Sequence, residues 1–192
     1  AGDYILTITG SCGATGTYQF QLIDFASAVE ITPGTAVSGS LSPASESDLY
    51  RFTATAGDQY FFDVQTGVSN ATWRLIDPFN NIIFSLGFTT DQDTLVIPRS
   101  GIHTLIIEGR RNAGSGTSGY TFNVQPVGLP VTTAVNVGET VSGAISVAGE
   151  SDVYSFTIGS DSRLHFDSFT NDSGIDWTLA GPGGTAVSRR SF

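Results

Sequence analysis

The chain has 192 residues, a formal net charge of −10 and 40% hydrophobic residues, so it is long enough to bury a core and too apolar to stay disordered. Its eight basic residues are all arginines and nowhere gather into a patch that follows a phosphate backbone, so nucleic acid is not an expected partner. No run approaches the roughly 20 apolar residues of a membrane helix, and no membrane insertion is expected.

In chain order, the first apolar alternations fall at 4–9 and 17–23, with Cys12 in the glycine-rich stretch between them. Further strands are expected at 36–41, 48–54, 59–65, 72–76, 82–86, 94–97, 103–108 and 120–124, from period-two alternation bounded by turn residues. Tyr50, Phe52 and Ala54 share one face of their strand, and Leu49, Arg51 and Thr53 the other. Tyr60, Phe62 and Val64 form the next apolar face, then Trp73 and Leu75. Ala56-Gly57-Asp58, Asp77-Pro78, Asn80-Asn81 and Ser100-Gly101 read as turns. No window carries a helical stripe. The fold class expected is all-β, in tandem β-sandwich modules of jelly-roll type.

The tandem element comes from internal repetition. Gly34-Thr35-Ala36-Val37-Ser38-Gly39 and Glu46-Ser47-Asp48-Leu49-Tyr50-Arg51-Phe52-Thr53 return 104 positions later as Gly138-Glu139-Thr140-Val141-Ser142-Gly143 and Glu150-Ser151-Asp152-Val153-Tyr154-Ser155-Phe156-Thr157. The same spacing matches Phe62-Asp63 to Phe166-Asp167, Trp73 to Trp177 and Pro78 to Pro182. Residues 2–10 resemble residues 101–109, and Tyr18-Gln19-Phe20 resembles Tyr120-Thr121-Phe122, at offsets of 99 and 102. The domain reading that follows has four parts. Residues 1–33 hold the closing strands of a preceding module, 34–130 a complete module, 131–137 a linker, and 138–192 the opening strands of a following module. The chain is expected to be a processed or excised piece of a longer protein.

The run Gly-x-x-Val-x-Gly, Glu-Ser-Asp-x-Tyr-x-Phe, Gly57-Asp58-Gln59-Tyr60-Phe61-Phe62-Asp63-Val64 and Trp73-x-Leu75-x-Asp77-Pro78 resembles the bacterial pre-peptidase C-terminal domain. The closing Gly-x-x-Thr-Leu-x-Ile-x-Gly and Gly-Tyr-Thr-Phe-x-Val motifs at 101–109 and 119–124 extend the resemblance. It implies a β-sandwich without catalytic residues, in a secreted or cell-surface bacterial setting, as an accessory domain of a secreted hydrolase or in tandem arrays of a surface protein.

Candidate chemistry is sparse. His103 and His165 sit in apolar strands with no second ligand at metal spacing, and there is no Gly-x-Ser-x-Gly elbow. Ala113-Gly114-Ser115-Gly116-Thr117 lacks a following helix and a lysine, so it is expected to be a hairpin loop and not a phosphate cradle. No enzyme, catalytic residue or organic cofactor is expected. Asp48 and Asp152, with Asp63 and Asp167 in the next strands, are the only calcium candidates, against the ordinary reading of aspartates that accept turn N–H bonds. Trp73 and Trp177 are expected as core anchors and not as sugar platforms. The Asn70 and Asn171 sequons read as turns. Cys12 is either a tolerated small residue or an intermolecular bridge.

Two functions compete. In one, the chain is a structural or adhesive repeat that polymerises head to tail into a filament, residues 1–24 of one chain completing 138–192 of a neighbour by strand addition; the alternatives for that strand pair are closure within its own chain or completion only in a longer chain. In the other, it binds a matrix ligand, collagen or polysaccharide, beside a secreted hydrolase. Self-association or neighbouring repeats of the same protein are the expected partners.

Overall fold

A computed structural model describes residues 2–192; residue 1, the first of the expected 1–33 segment, lies outside them. The chain divides into two compact units. One holds the residues up to Thr132 together with Ser142–Val153, the other Thr133–Val141 with Tyr154–Phe192.

The first unit contains nine strands: β1 (Val29–Glu30), β2 (Val37–Leu41), β3 (Ser47–Ala54), β4 (Gln59–Thr66), β5 (Ala71–Ile76), β6 (Ile82–Gly87), β7 (Gln92–Val96), β8 (Gly101–Gly109) and β9 (Ser118–Val127). They form a five-stranded sheet, β1-β3-β8-β5-β6, and a four-stranded sheet, β2-β9-β4-β7. β1 pairs parallel with β3, two residues beside Tyr50 and Arg51. β8 and β9, the last strands of this sandwich in sequence, lie inside their sheets with a neighbour on both edges.

The alternation seen in the sequence becomes the core. Tyr50, Phe52, Trp73, Leu75, Leu105 and Ile107 meet Leu41, Phe62, Tyr120, Phe122 and Val124 between the two sheets. Phe62 meets Trp73 edge to face at 6.1 Å and 83°, and Phe88 closes on Trp73 at 5.3 Å. Such geometry sets the positive ring edge against the negative ring face. On the outer side of the five-stranded sheet, Leu49, Ile76 and Ile106 make a small second cluster with Ala28, covered by Ile23. That contact anchors the residues leading into β1.

All eight expected strands of the 34–130 region form. β7 runs Gln92–Val96 and not 94–97, because a bulge between Tyr60 and Phe62 carries its pairing on to Gln92. The 113–117 loop is not a hairpin loop: it joins β8 of one sheet to β9 of the other. Residues 4–9 and 17–23 form no strand, because nothing pairs with them. Between them stands a three-residue 3₁₀ turn at Ser11–Gly13.

Beyond the nine-stranded sandwich, β10 (Thr132–Ala134) pairs with β11 (Val153–Ser155), and β12 (Asp176–Gly181) makes a hairpin with β13 (Gly184–Ser191). Their local geometry duplicates that of residues 104 positions earlier. The bonds Ile31 N to Arg51 O, Thr35 N to Thr32 O, Ala71 N to Val68 O and Phe88 N to Ala71 O have counterparts. These are Val135 to Ser155, Glu139 to Asn136, Ile175 to Asp172 and Phe192 to Ile175. Asp176 faces Ser191 and Trp177 faces Arg190, the register of Thr72 with Gly87 and Trp73 with Leu86. Glu46 accepts from Ser42 N at 2.5 Å, and Glu150 accepts from Ser146 N at 2.5 Å. Gly34 and Gly138 both take positive φ, at 88° and 93°.

The two tryptophans differ in burial. Trp73 is fully enclosed, whereas Trp177 is half-buried and lies flat on Phe166 at 4.1 Å. Residues 156–170 form no strand, and Phe156, Leu164, Phe166 and Phe169 stay exposed.

Candidate functional site

The most distinctive polar arrangement is a chain of hydroxyls buried between the sheets. Tyr50 and Asp48 stand on β3, two residues apart and so on one face; Tyr120 reaches them from β9. The Tyr50 hydroxyl lies 2.6 Å from that of Tyr120, which donates to Asp48 Oδ2 at 2.5 Å. The proton order is therefore Tyr50 to Tyr120 to Asp48, each bond polarising the next. Burial pushes the Asp48 carboxyl up, the Tyr120 bond pulls it down, and Glu46 adds an upward push. Burial raises both phenols above their usual range, Tyr120 strongly, so each remains a donor. Gly39, opposite Tyr120 on β2, makes the room: a Cβ there would stand 2.4 Å from the Tyr120 hydroxyl and 2.7 Å from that of Tyr50.

This arrangement accounts for Asp48, whose carboxylate is engaged by a tyrosine. Asp152 is exposed, and Asp63 accepts from Gln65 Nε2 at 3.0 Å. Among the described residues, no group of three or more His, Cys, Asp or Glu gathers around any point. A calcium ion needs six to eight oxygens, which these aspartates do not assemble.

His103 is fully enclosed beside Phe52, and its Nδ1–H donates to Gly101 O at 3.1 Å. Burial holds its pKa below the usual value, against upward pushes from that bond and from Asp77. His165 is exposed. Cys12 is exposed, with φ of 50°. Asn70 and Asn171 are exposed. A sugar- or collagen-binding face needs exposed aromatics; among the described residues of β1–β9 and their connections, Phe79 is the strongly exposed ring, with the Arg99 guanidinium 4.9 Å above it.

A second feature is a set of exposed apolar residues in stretches that form no strand. Tyr4, Leu6, Ile8, Tyr18, Phe20 and Leu22 are all exposed. At the offsets read from the sequence they correspond to His103, Leu105, Ile107, Tyr120, Phe122 and Val124, six of the most deeply buried positions of β8 and β9. At the 104-residue spacing, positions 141–191 correspond in sequence to those of β2 to β6. The sequence pattern marked 4–9 and 17–23 as apolar alternations. It missed the tyrosine chain, whose only signal was the recurrence of Asp48, Tyr50 and Gly39 as Asp152, Tyr154 and Gly143.

The fold and this site define an all-β sandwich module held by a buried tyrosine–aspartate chain. No protein-family model matches the sequence, and no curated protein matches it. Among solved structures, the chain is similar to PliG of Salmonella Typhimurium, a periplasmic lysozyme inhibitor of g-type lysozyme, at 20% identity over 52% of this chain and 97% of that one, with a TM-score of 0.42. It is also similar to PliG of Aeromonas hydrophila, at 16% identity over 51% and 96%, TM-score 0.42. The third is the pre-peptidase C-terminal domain of collagenase from Bacillus anthracis, at 20% identity over 51% and 94%, TM-score 0.42. The likeness is one of fold. No helix among the described residues is long and apolar enough to cross a membrane.

Proposed function

We propose that the chain is a non-catalytic structural or adhesive repeat of a secreted or surface bacterial protein, associating head to tail by strand complementation. Residues 34–130 are the complete module. Residues 1–33 carry closing strands, 131–137 a linker, and 138–192 an opening half-module that accepts residues 1–24 of another copy. The division of β2–β9 into 2-9-4-7 and 3-8-5-6 supports reading the module as a jelly roll. The bacterial exterior is supported by the resemblance of the motifs at 34–124.

The observation that carries this reading is the unpaired donor: six apolar side chains, matching six enclosed positions of β8 and β9, stand in solvent. Enclosing each is worth roughly 1.5–3 kcal/mol before the cost of association is subtracted. Size-exclusion chromatography with light scattering, over a wide concentration range, tests it. The expected outcome is a mass that grows with concentration and filaments in electron micrographs. A mass fixed at one chain throughout refutes the reading.

A further inference from the structure

We propose that the outer face of the four-stranded sheet carries a seat, built by Phe61 of β4 and Thr94 of β7, for the glycine turn at residues 146–150 of the same chain. The sandwich thereby holds the turn that opens the stretch following it. This seat lies within one chain and stands whether or not copies associate.

The seat begins in the strand pattern. Tyr60 and Phe62 are buried in the core, so Phe61 between them points outwards. Thr94, beside the core-facing Leu95, reaches the same point from β7. Both are half-buried, and Gly149 lies on them. The Thr94 hydroxyl donates to Gly149 O at 3.0 Å. A Cβ added to Gly149 would stand 2.5 Å from Thr94 Oγ1 and 2.7 Å from Phe61 Cβ. Turn and seat belong to one compact unit, the first, which takes in Ser142–Val153. Between residues 136 and 174, Gly149 and Glu150 are the only described residues that are not exposed. The contact is therefore made by the tip of the turn alone.

The turn is built before it is seated. The Glu150 carboxylate accepts from Ser146 N at 2.5 Å and Val147 N at 3.1 Å, and Glu150 N donates to Val147 O at 3.2 Å. A turn closed on itself loses little further freedom on docking. The same wrap forms at 42–46, where Glu46 accepts from Ser42 N and Glu46 N donates to Pro43 O. The two turns differ at the tip. Gly149 takes φ of 82°, whereas Ser45, 104 positions earlier, does not take a positive φ. The seat differs too, since the same spacing sets His165 where Phe61 stands. The repeated residues thus make the turn, and two unrepeated ones, Gly149 and Phe61, make it fit. Glycine serves twice here: it enters the left-handed region without penalty, and its missing side chain lets its carbonyl approach the Thr94 hydroxyl.

The test places a nitroxide on Ser151→Cys in a Cys12→Ser chain, both exposed positions, and reads the amide signals of Phe61, Asp93, Thr94 and Leu95. Strong broadening that does not change on dilution is expected in the full chain. Gly149→Val and Gly149→Asn are each expected to reduce it at least two-fold. Thr94→Val, which keeps the outline and removes the donor, is expected to reduce it part of the way. Asparagine tolerates positive φ, so it separates the two roles of glycine. Broadening retained in Gly149→Asn shows that the turn needs only a left-handed residue and overturns the seat. A parent chain without broadening, or Gly149→Val with all of it, overturns it equally. Mixing spin-labelled chains with isotope-labelled chains free of nitroxide identifies the occupant. Broadening that arises only between chains makes the occupant a second copy and overturns the seat within one chain.

Discussion

Tyr120→Phe removes a single oxygen from the complete module, and its cost can be worked from the two bonds that oxygen makes. The bond to Asp48, at 2.5 Å, has a charged acceptor and is worth about 1.5–3 kcal/mol. The bond to Tyr50, at 2.6 Å, satisfies a buried hydroxyl that otherwise costs about 1–3 kcal/mol. The phenyl ring remains, so its contacts with Phe122 and Phe88 survive. A loss of about 3 kcal/mol follows, equivalent to a fall in Tm of about 12–24 °C for a domain of this size. Urea denaturation followed by the fluorescence of the enclosed Trp73 measures it, with an unchanged m-value showing that only stability has moved. Tyr50→Phe is the internal comparison. It removes the outermost donor and leaves Tyr120 bonded to Asp48, so it is expected to cost only about 1 kcal/mol. If both variants lose the same amount, the proton order proposed for the chain is wrong.

Gly39→Ala brings a methyl to 2.4 Å from the Tyr120 hydroxyl, and is expected to destabilise the module by about 1–3 kcal/mol in the same assay. Trp73→Ala is expected to cost about 3–5 kcal/mol, whereas Trp177→Ala in the unassociated chain should leave the main melting transition in place. His103 gives a pH dependence of defined sign. Its folded-state pKa is lowered by burial, so below about pH 6.5 the unfolded chain binds a proton that the folded chain refuses. Stability is expected to be complete above that pH and to fall, by up to about 1.4 kcal/mol per unit, as pH drops towards the depressed value. Unfolding at pH 7.5 and 5.5 should show a steeper loss in the parent than in His103→Phe.

The sandwich was legible where alternation and partner coincide. Tyr50, Phe52 and Ala54 declared a buried face, and β3 duly lies between β1 and β8 with that face inward. β1 was not legible, since two residues carry no period and its pairing is set by the Ile23 and Ala28 cluster. The alternations at 4–9 and 17–23 are as clear as those of β8 and β9, yet no strand forms there. A strand needs a hydrogen-bonded neighbour as well as a pattern. Asp48 was read as a turn or ion ligand from its place beside Ser47. Its true partner stands 72 residues away, and only the packing of one sheet on the other brings Tyr120 to it.

The order of strands explains why the two halves of this fold depend on each other. β2, β3, β4 and β5 come early in the sandwich, yet each pairs with β8 or β9, the last of its nine strands. Until those two strands arrive, the early ones lack a ladder and the facing aromatic layers have nothing to close on. Among residues 138–192, pairs whose partners lie close in sequence have formed, such as β12 with β13, while 156–170 forms no strand. In β1–β9 the loss of β8 and β9 would open both sheets at once, so these two interior strands hold the sandwich together, whereas loss of an edge strand such as β7 would leave the other sheet's ladder intact.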